Sequence, residues 1–207
     1  MSSSGPSDKE RLIIEAAMIE FGALGVHGAR MQAIADRAGV NKALLHYYFR
    51  SKEQLYLEVL RRIITPFLDR VGQGVSALAP GDFAGFVRVI AAYLIEGGQQ
   101  LPLSRILFTE LSCGGQYLSR LPEMQGSLPF YDSTVGAFLN DCIRQGIVKP
   151  HHPMKIFMSI VGMCWNAFLG APIADSVYDY DKIARDKAFY DDYLETIVDI
   201  ATSGLLL

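Results

Sequence analysis

Apolar residues recur at helical spacing along most of the chain, and glycine or proline separates one run from the next. In the first run, residues 8–24, an apolar residue returns at every third or fourth position, and Gly25 is expected to end the helix. A longer run begins at Ser51, a natural N-cap, and contains Pro66, where we expect a kink or a break. Because no Val- and Ile-rich stretch alternates as a strand does, the pattern predicts an all-α fold.

Five further helical runs follow the Pro80-Gly81 turn. They cover residues 83–97, 103–113, 129–146, 153–169 and 182–203. The layout therefore predicts a head of three helices and a body of about six. Residues 1–7 are rich in Ser, Gly and Pro, and we expect them to form a disordered tail.

The most informative segment is residues 28–52, where two short helical patterns meet at a glycine. Gly39 stands where the chain must reverse, and glycine adopts a left-handed conformation at little cost. Asn41 is a good N-cap for the second helix, which Leu45 and Phe49 should bury on one side. A helix-turn-helix that reads DNA needs this arrangement, because one helix must brace the other inside the major groove.

Three stretches, LIIEAAMIEFGALG, MQAIADRAGVNKALLHYYF and SKEQLYLEVL, occur together between about Lys9 and Leu60. This segment resembles the N-terminal domain of the TetR family of one-component transcriptional regulators. The resemblance implies a helix-turn-helix DNA-binding domain at residues 8–53, with the motif at about 30–49. It also implies that a long helix joins this head to a helical ligand-binding and dimerisation domain at residues 54–207.

The resemblance, combined with helix geometry, implies DNA contacts around the second helix of the motif. Lys42 is expected to donate to guanine or phosphate, Gln32 could pair with adenine, and Lys52 matches a phosphate anchor of the family. Leu44 departs from the small or hydroxylated residues common at its position and would meet a thymine methyl group. For Tyr48, a phosphate contact and a core position both stay open. The predicted DNA-contacting residues are Arg30, Gln32, Asn41, Lys42, Ala43, Leu44, His46, Tyr47, Tyr48 and Lys52.

Charge is distributed unevenly along a chain whose net charge is −3. Residues 27–52 carry five basic and one acidic residue, whereas residues 53–207 carry twelve basic and seventeen acidic ones. Positive charge at one end of an acidic molecule is typical of a protein that binds phosphate there. We therefore expect double-stranded DNA as a partner of the head.

The cysteines and the apolar runs bear on the cellular compartment. The three cysteines lie far apart without a CxxC pair, which fits reduced thiols better than a disulfide framework. No apolar run reaches the roughly 18 residues that indicate a membrane span. We expect a cytoplasmic protein that does not associate with a membrane.

Residues 101–172 combine bulky side chains with interleaved polar groups, which favours a pocket for a small, largely apolar effector. Ordinary core or dimer surface is the alternative for each of them. The predicted pocket residues are Phe108, Tyr117, Tyr131, Met163, Trp165 and Asn166.

The resemblance also implies a homodimer, because one head covers half of a palindromic operator. The predicted dimer faces consist of Ile160, Cys164 and Ala167 together with Ile197, Ile200 and Ala201.

These expectations describe a ligand-responsive repressor that an effector releases from DNA, with the long fourth helix as the lever. The alternatives are a metal-responsive regulator that uses His151 and His152, control by a protein partner, and a transcriptional activator.

The sequence contains no Gly-rich phosphate loop, no GxSxG elbow and no HExxH motif, so we expect neither an enzyme nor a cofactor. Adjacent histidines cannot ligate one metal ion in the i, i+4 manner of a helix face, and no metal site is predicted.

Overall fold

The computed structural model describes residues 8–121, 133–178 and 187–207, except for the side chains of Leu101, residues 169–178 and Lys187. The described residues are predominantly helical, and the only extended pairing among them is an isolated bridge between Val148 and Leu206. The expected all-α fold is confirmed. The helices are α1 (Asp8–Gly28), α2 (Met31–Arg37), α3 (Lys42–Tyr48), α4 (Lys52–Ser76), α5 (Phe83–Gln99), α6 (Leu101–Ser112), α7 (Thr134–Arg144), α8 (Pro153–Tyr178) and α9 (Lys187–Leu205).

Gly25 interrupts α1 where the sequence predicts an end. Its φ of 65° and ψ of 174° are not helical, and the amide of Ala29 donates to its carbonyl at 3.1 Å. One more turn then carries α1 to Gly28. The regular helix therefore stops at the predicted glycine, although the element extends three residues beyond it.

Pro66 does not break α4, which runs without interruption from Lys52 to Ser76. Of the kink or break expected there, the break is therefore excluded. Proline lacks the N–H that would bond the carbonyl four residues earlier, and a long helix can continue past one missing hydrogen bond. Pro66 still coincides with a boundary, because the first segment of one of the two compact units ends there.

The described residues form a head unit, residues 8–66 and 100–121, and a body unit, residues 67–99 and those from 133 onwards. The head unit is larger than the predicted segment 8–53. Tyr56 and Leu60 of α4 and Ile106 of α6 are buried in the same hydrophobic cluster as Phe21 of α1. The first three helices therefore share their core with α4 and α6.

Glu110 of α6 is a buried carboxylate that organises this shared core, with 3% of its surface exposed. Its Oε1 accepts hydrogen bonds from the amides of Tyr117 at 2.6 Å and Leu118 at 3.0 Å, and its Oε2 accepts from the Tyr56 hydroxyl at 3.3 Å. The Tyr56 ring packs edge-on against Phe21. Burial and the adjacent Glu110 raise the pKa of Tyr56, so its phenol remains a neutral donor.

Glu110→Ala should destabilise the protein by about 3 kcal/mol, because it leaves two buried amides and one hydroxyl without their acceptor. Urea-induced unfolding measures this loss. Glu15→Ala is the matched control, since Glu15 pairs with Arg11 on the surface with both side chains more than half exposed. It should cost less than about 0.5 kcal/mol. Equal losses in the two variants would contradict a structural role for Glu110.

α5 lies at the centre of the body unit, where it packs against both α8 and α9. Its buried residues Phe86 and Ile90 belong to one cluster with residues of both those helices, and Phe86 stacks on Phe138 of α7 with ring centroids 5.2 Å apart. This core accounts for the apolar character of the last two helices. It therefore bears directly on the predicted dimer faces.

The structure corrects four of the six predicted dimer residues. Ile160, Cys164, Ile197 and Ala201 are at most 3% exposed and lie in the core of the body unit. They cannot offer a surface to a second chain, because the chain's own helices already cover them. Of the other two, Ala167 is half-buried and Ile200 is 57% exposed.

All three cysteines are free, as the sequence predicts. Cys113 is exposed, whereas Cys142 and Cys164 are buried. Burial raises the pKa of Cys142 to about 11 and that of Cys164 to about 12. Both buried thiols therefore stay protonated near neutral pH and behave as small apolar side chains.

Two other kinds of feature are absent from the part of the chain that the structure describes. No described helix combines the length and apolarity needed to cross a membrane. No three described His, Cys, Asp or Glu side chains are grouped so as to hold a metal ion. His151 and His152 are exposed, and the carbonyl of His152 accepts from the amide of Lys155 at 2.9 Å as α8 begins.

Candidate nucleic-acid interface

The turn between α2 and α3 is built on Gly39, whose φ is +64°. Its amide donates to the carbonyl of Asp36 at 3.2 Å. The amide of Val40 donates to the carbonyl of Ala35 at 3.0 Å. These two bonds form a Schellman motif, which satisfies the last carbonyls of α2 and reverses the chain. The glycine turn predicted from the sequence is confirmed.

α3 begins and is buried as predicted. The Asn41 side chain accepts from the amide of Leu44 at 2.7 Å, which is the expected N-cap. Leu45 is fully buried and Phe49 is 8% exposed, so one side of α3 faces the core of the head unit. The exposed side carries Lys42, Ala43, His46 and Tyr47, and Tyr47 is 79% exposed.

Tyr48 and Leu44 lie at the margin between these two sides. Tyr48 is half-buried, packs against the hydrophobic cluster of the head unit, and meets the Tyr47 ring edge-on at 5.5 Å. This geometry favours the core position that the sequence left open for Tyr48. Leu44 is also half-buried, although it was expected to be exposed.

On α2, the predicted contact Gln32 donates from Nε2 to Oδ1 of Asp36 at 2.8 Å. Asp36 is the acidic residue of the basic segment 27–52, and this hydrogen bond orients the Gln32 amide along the helix. Arg37 turns away to α1, where Nε and Nη2 donate to Glu20 at 3.1 and 3.0 Å. Arg30 occupies the N-cap of α2 and is exposed.

The structure reveals two features that the sequence analysis missed. Lys52 donates from Nζ to the carbonyls of His27 at 3.1 Å and Ala29 at 3.2 Å. No sequence pattern predicts these two hydrogen bonds. Arg50 is exposed in the short turn between α3 and α4. Arg50 is one of the basic residues of segment 27–52 and closely follows the second helix of the motif. These two facts could have indicated it as a DNA-contacting candidate.

The predicted pocket residues are divided between the two units. Phe108 is 41% exposed on α6, and Tyr117 is buried against Tyr56 in the head unit with ring centroids 5.1 Å apart. Met163 and Trp165 are half-buried on α8 and Asn166 is exposed, while Tyr131 lies outside the described residues.

The body unit has an open groove of about 640 Å³, and none of the predicted pocket residues lines it. Its lining residues are Leu68, Asp69, Gly72, Gln73, Ser76, Ala77 and Thr134.

Residues 13–59, which contain the whole α2–turn–α3 motif, match the model of the bacterial regulatory proteins of the tetR family. Over these residues the chain has the DNA-binding domain of the TetR family. The HTH-type transcriptional regulator RutR of Escherichia coli (strain K12) is 29% identical over 203 residues, which cover 98% of this chain and 93% of RutR. These relatives are transcriptional regulators and not enzymes, and this chain is a DNA-binding transcriptional regulator.

Solved structures share the fold of this chain over nearly its whole length. The fatty acid degradation regulator FadR from Bacillus halodurans superposes with a TM-score of 0.68 at 16% identity, covering 94% of this chain and 97% of FadR. A complex of SmeT with triclosan superposes with a TM-score of 0.63 at 14% identity, covering 97% of this chain and 93% of SmeT. At these identities the likeness concerns the fold.

Proposed function

We propose that this regulator is a ligand-responsive repressor, which binds a palindromic operator as a homodimer and is released by a small, largely apolar effector. The exposed side of α3 carries this proposal. It presents Lys42, His46 and Tyr47 outward from a helix whose opposite side is anchored by Leu45. A helix held in this way can enter the major groove with its N-terminal end foremost.

Each group on this surface suits a different part of DNA. Lys42 donates to a phosphate or a guanine, Ala43 meets a thymine methyl group, and the Tyr47 hydroxyl reaches a phosphate. Arg30, at the start of α2, supplies a second cation for the backbone. Gln32 contacts a base once its amide is released from Asp36. The pairing of these groups with phosphates positions the head, and their contacts with bases provide specificity.

Lys42→Ala should weaken binding to the DNA upstream of the protein's own coding region, or to a duplex selected from a random pool. A mobility shift over a series of salt concentrations measures the effect. If Lys42 contacts a phosphate, the slope of log K against log salt becomes shallower by about 0.9. If it contacts a base, discrimination at one position of the site falls by about 1–3 kcal/mol. Arg144→Ala, at a cation of α7 whose side chain is 77% exposed, should change neither quantity. Unaltered binding by Lys42→Ala would contradict the proposed surface.

For the dimer, we propose a surface formed by the exposed sides of α8 and α9. Met158 and Ile200 are large apolar residues with 57% of their surface exposed. Burying them against a second chain would remove apolar area from water. Two copies would then present two heads to the two half-sites of a palindrome.

Ile200→Glu should convert the dimer into monomers of 22.8 kDa, because a carboxylate would have to be buried at the interface. Sedimentation velocity measures the mass directly. Leu24→Glu is the matched control, since Leu24 is 56% exposed but lies on α1 in the head unit. A dimer that survives Ile200→Glu, or that Leu24→Glu dissociates, would place the interface elsewhere.

The effector part of the proposal draws support from SmeT, which has the same fold and whose structure is a complex with triclosan. An effector that weakens DNA binding must itself bind more weakly to the DNA-bound protein, by the same factor. A panel of small aromatic and aliphatic compounds, ranked by the rise in melting temperature, should yield ligands that show this reciprocity. Ligands that all leave the DNA affinity unchanged would argue for control by a protein partner.

A further inference from the structure

Lys52 makes a tertiary contact, although its charge and position suggest a surface residue. It is the first residue of α4, is half-buried, and donates to the carbonyls of His27 and Ala29 at 3.1 and 3.2 Å. His27 lies in the last turn of α1, and Ala29 lies in the connection that leads to α2. Ala29 is 23 positions from Lys52 in the chain, so the contact closes a long segment.

The end of α1 is a favourable place for a cation. Carbonyls in the last turn of a helix lack intrahelical donors and carry a partial negative charge. α1 is interrupted at Gly25 and ends at Gly28, so its final carbonyls need partners from elsewhere. An ammonium donor forms charge-assisted hydrogen bonds, which are stronger than neutral ones. Ala29 is 2% exposed, which keeps one acceptor fixed in place.

We propose that Lys52 is a positioning residue for DNA binding. Its amine fastens the α1–α2 connection to the start of α4 and thereby fixes the orientation of α3. α2 and α3 lie between the two ends of this clamp and are joined by the Gly39 turn, so a tilt of α3 strains the clamp. The inference rests on the proposed contact of α3 with DNA, and it gives Lys52 a role other than the phosphate anchor that the family resemblance implies.

Salt dependence distinguishes the two roles. A lysine that neutralises a phosphate releases counterions, so its removal makes the slope of log K against log salt shallower by about 0.9. A lysine that positions α3 changes the affinity by a similar factor at every salt concentration and leaves the slope unaltered. It also changes the stability of the protein without DNA, which a pure phosphate contact does not.

Lys52→Met tests the proposal, because methionine keeps an unbranched apolar stem and removes both the charge and the donors. With a duplex selected by the wild-type protein as the probe, we expect binding about tenfold weaker at every salt concentration with an unchanged slope. The melting temperature without DNA should fall by about 3–8 °C. Lys52→Arg should recover most of both losses, since its guanidinium still donates. Arg144→Met, at a cation of α7 whose side chain is 77% exposed, should match the wild type in every measurement.

A slope shallower by about 0.9 in Lys52→Met, with or without a change in melting temperature, would overturn the proposal. If that variant does not fold, Lys52→Gln carries the same comparison, because it removes the charge and retains N–H donors. An unchanged slope then supports the clamp and a shallower slope overturns it. If selection recovers no duplex, the proposed function fails, while an unaltered melting temperature in Lys52→Met would separately reject the clamp.

Discussion

The DNA-reading part of the molecule depends on holding two helices that are too short to be stable alone. α2 and α3 have seven residues each, whereas isolated helices shorter than about 12 residues are marginal in water. Their stability comes from their ends and from one buried side. The Schellman turn at Gly39 ends α2, Asn41 caps α3, and Leu45 fixes α3 to the core. Because α3 is anchored in this way, its opposite side is free to carry the side chains that we propose contact DNA.

The features that the sequence predicted well are local. Gly39, Asn41 and the Ser51 cap each act on groups within about four positions along the chain, so their residue types carry the whole signal. Gly25 belongs to the same class. Pro66 shows the limit of such rules, because the 25-residue α4 continues past the hydrogen bond that proline cannot make.

The features that the sequence did not predict depend on which elements meet. A helical stripe of apolar residues indicates burial, but it does not say whether the partner is the same chain or a second one. For this reason Ile160 and Cys164 were assigned to the dimer interface, whereas α5 and α9 of the same chain pack against their helix, α8, and bury them. Tyr117 similarly fills the head core beside Tyr56. The contacts of Lys52 and Glu110 join distant segments, and nothing in their immediate sequence records them.

The head unit is discontinuous in sequence, because α6 completes a core that begins with α1. Exchange of DNA-reading heads between related regulators, natural or engineered, is therefore constrained. If the segment up to Leu60 were exchanged for that of another regulator, the residues replacing Phe21 and Tyr56 would have to pack against the original Glu110. The two parts of this core would then come from different proteins. On the proposed contact of α3 with DNA, substitutions on the exposed side of α3 would change operator preference without disturbing this core. A transplanted head must bring residues 100–121 with it.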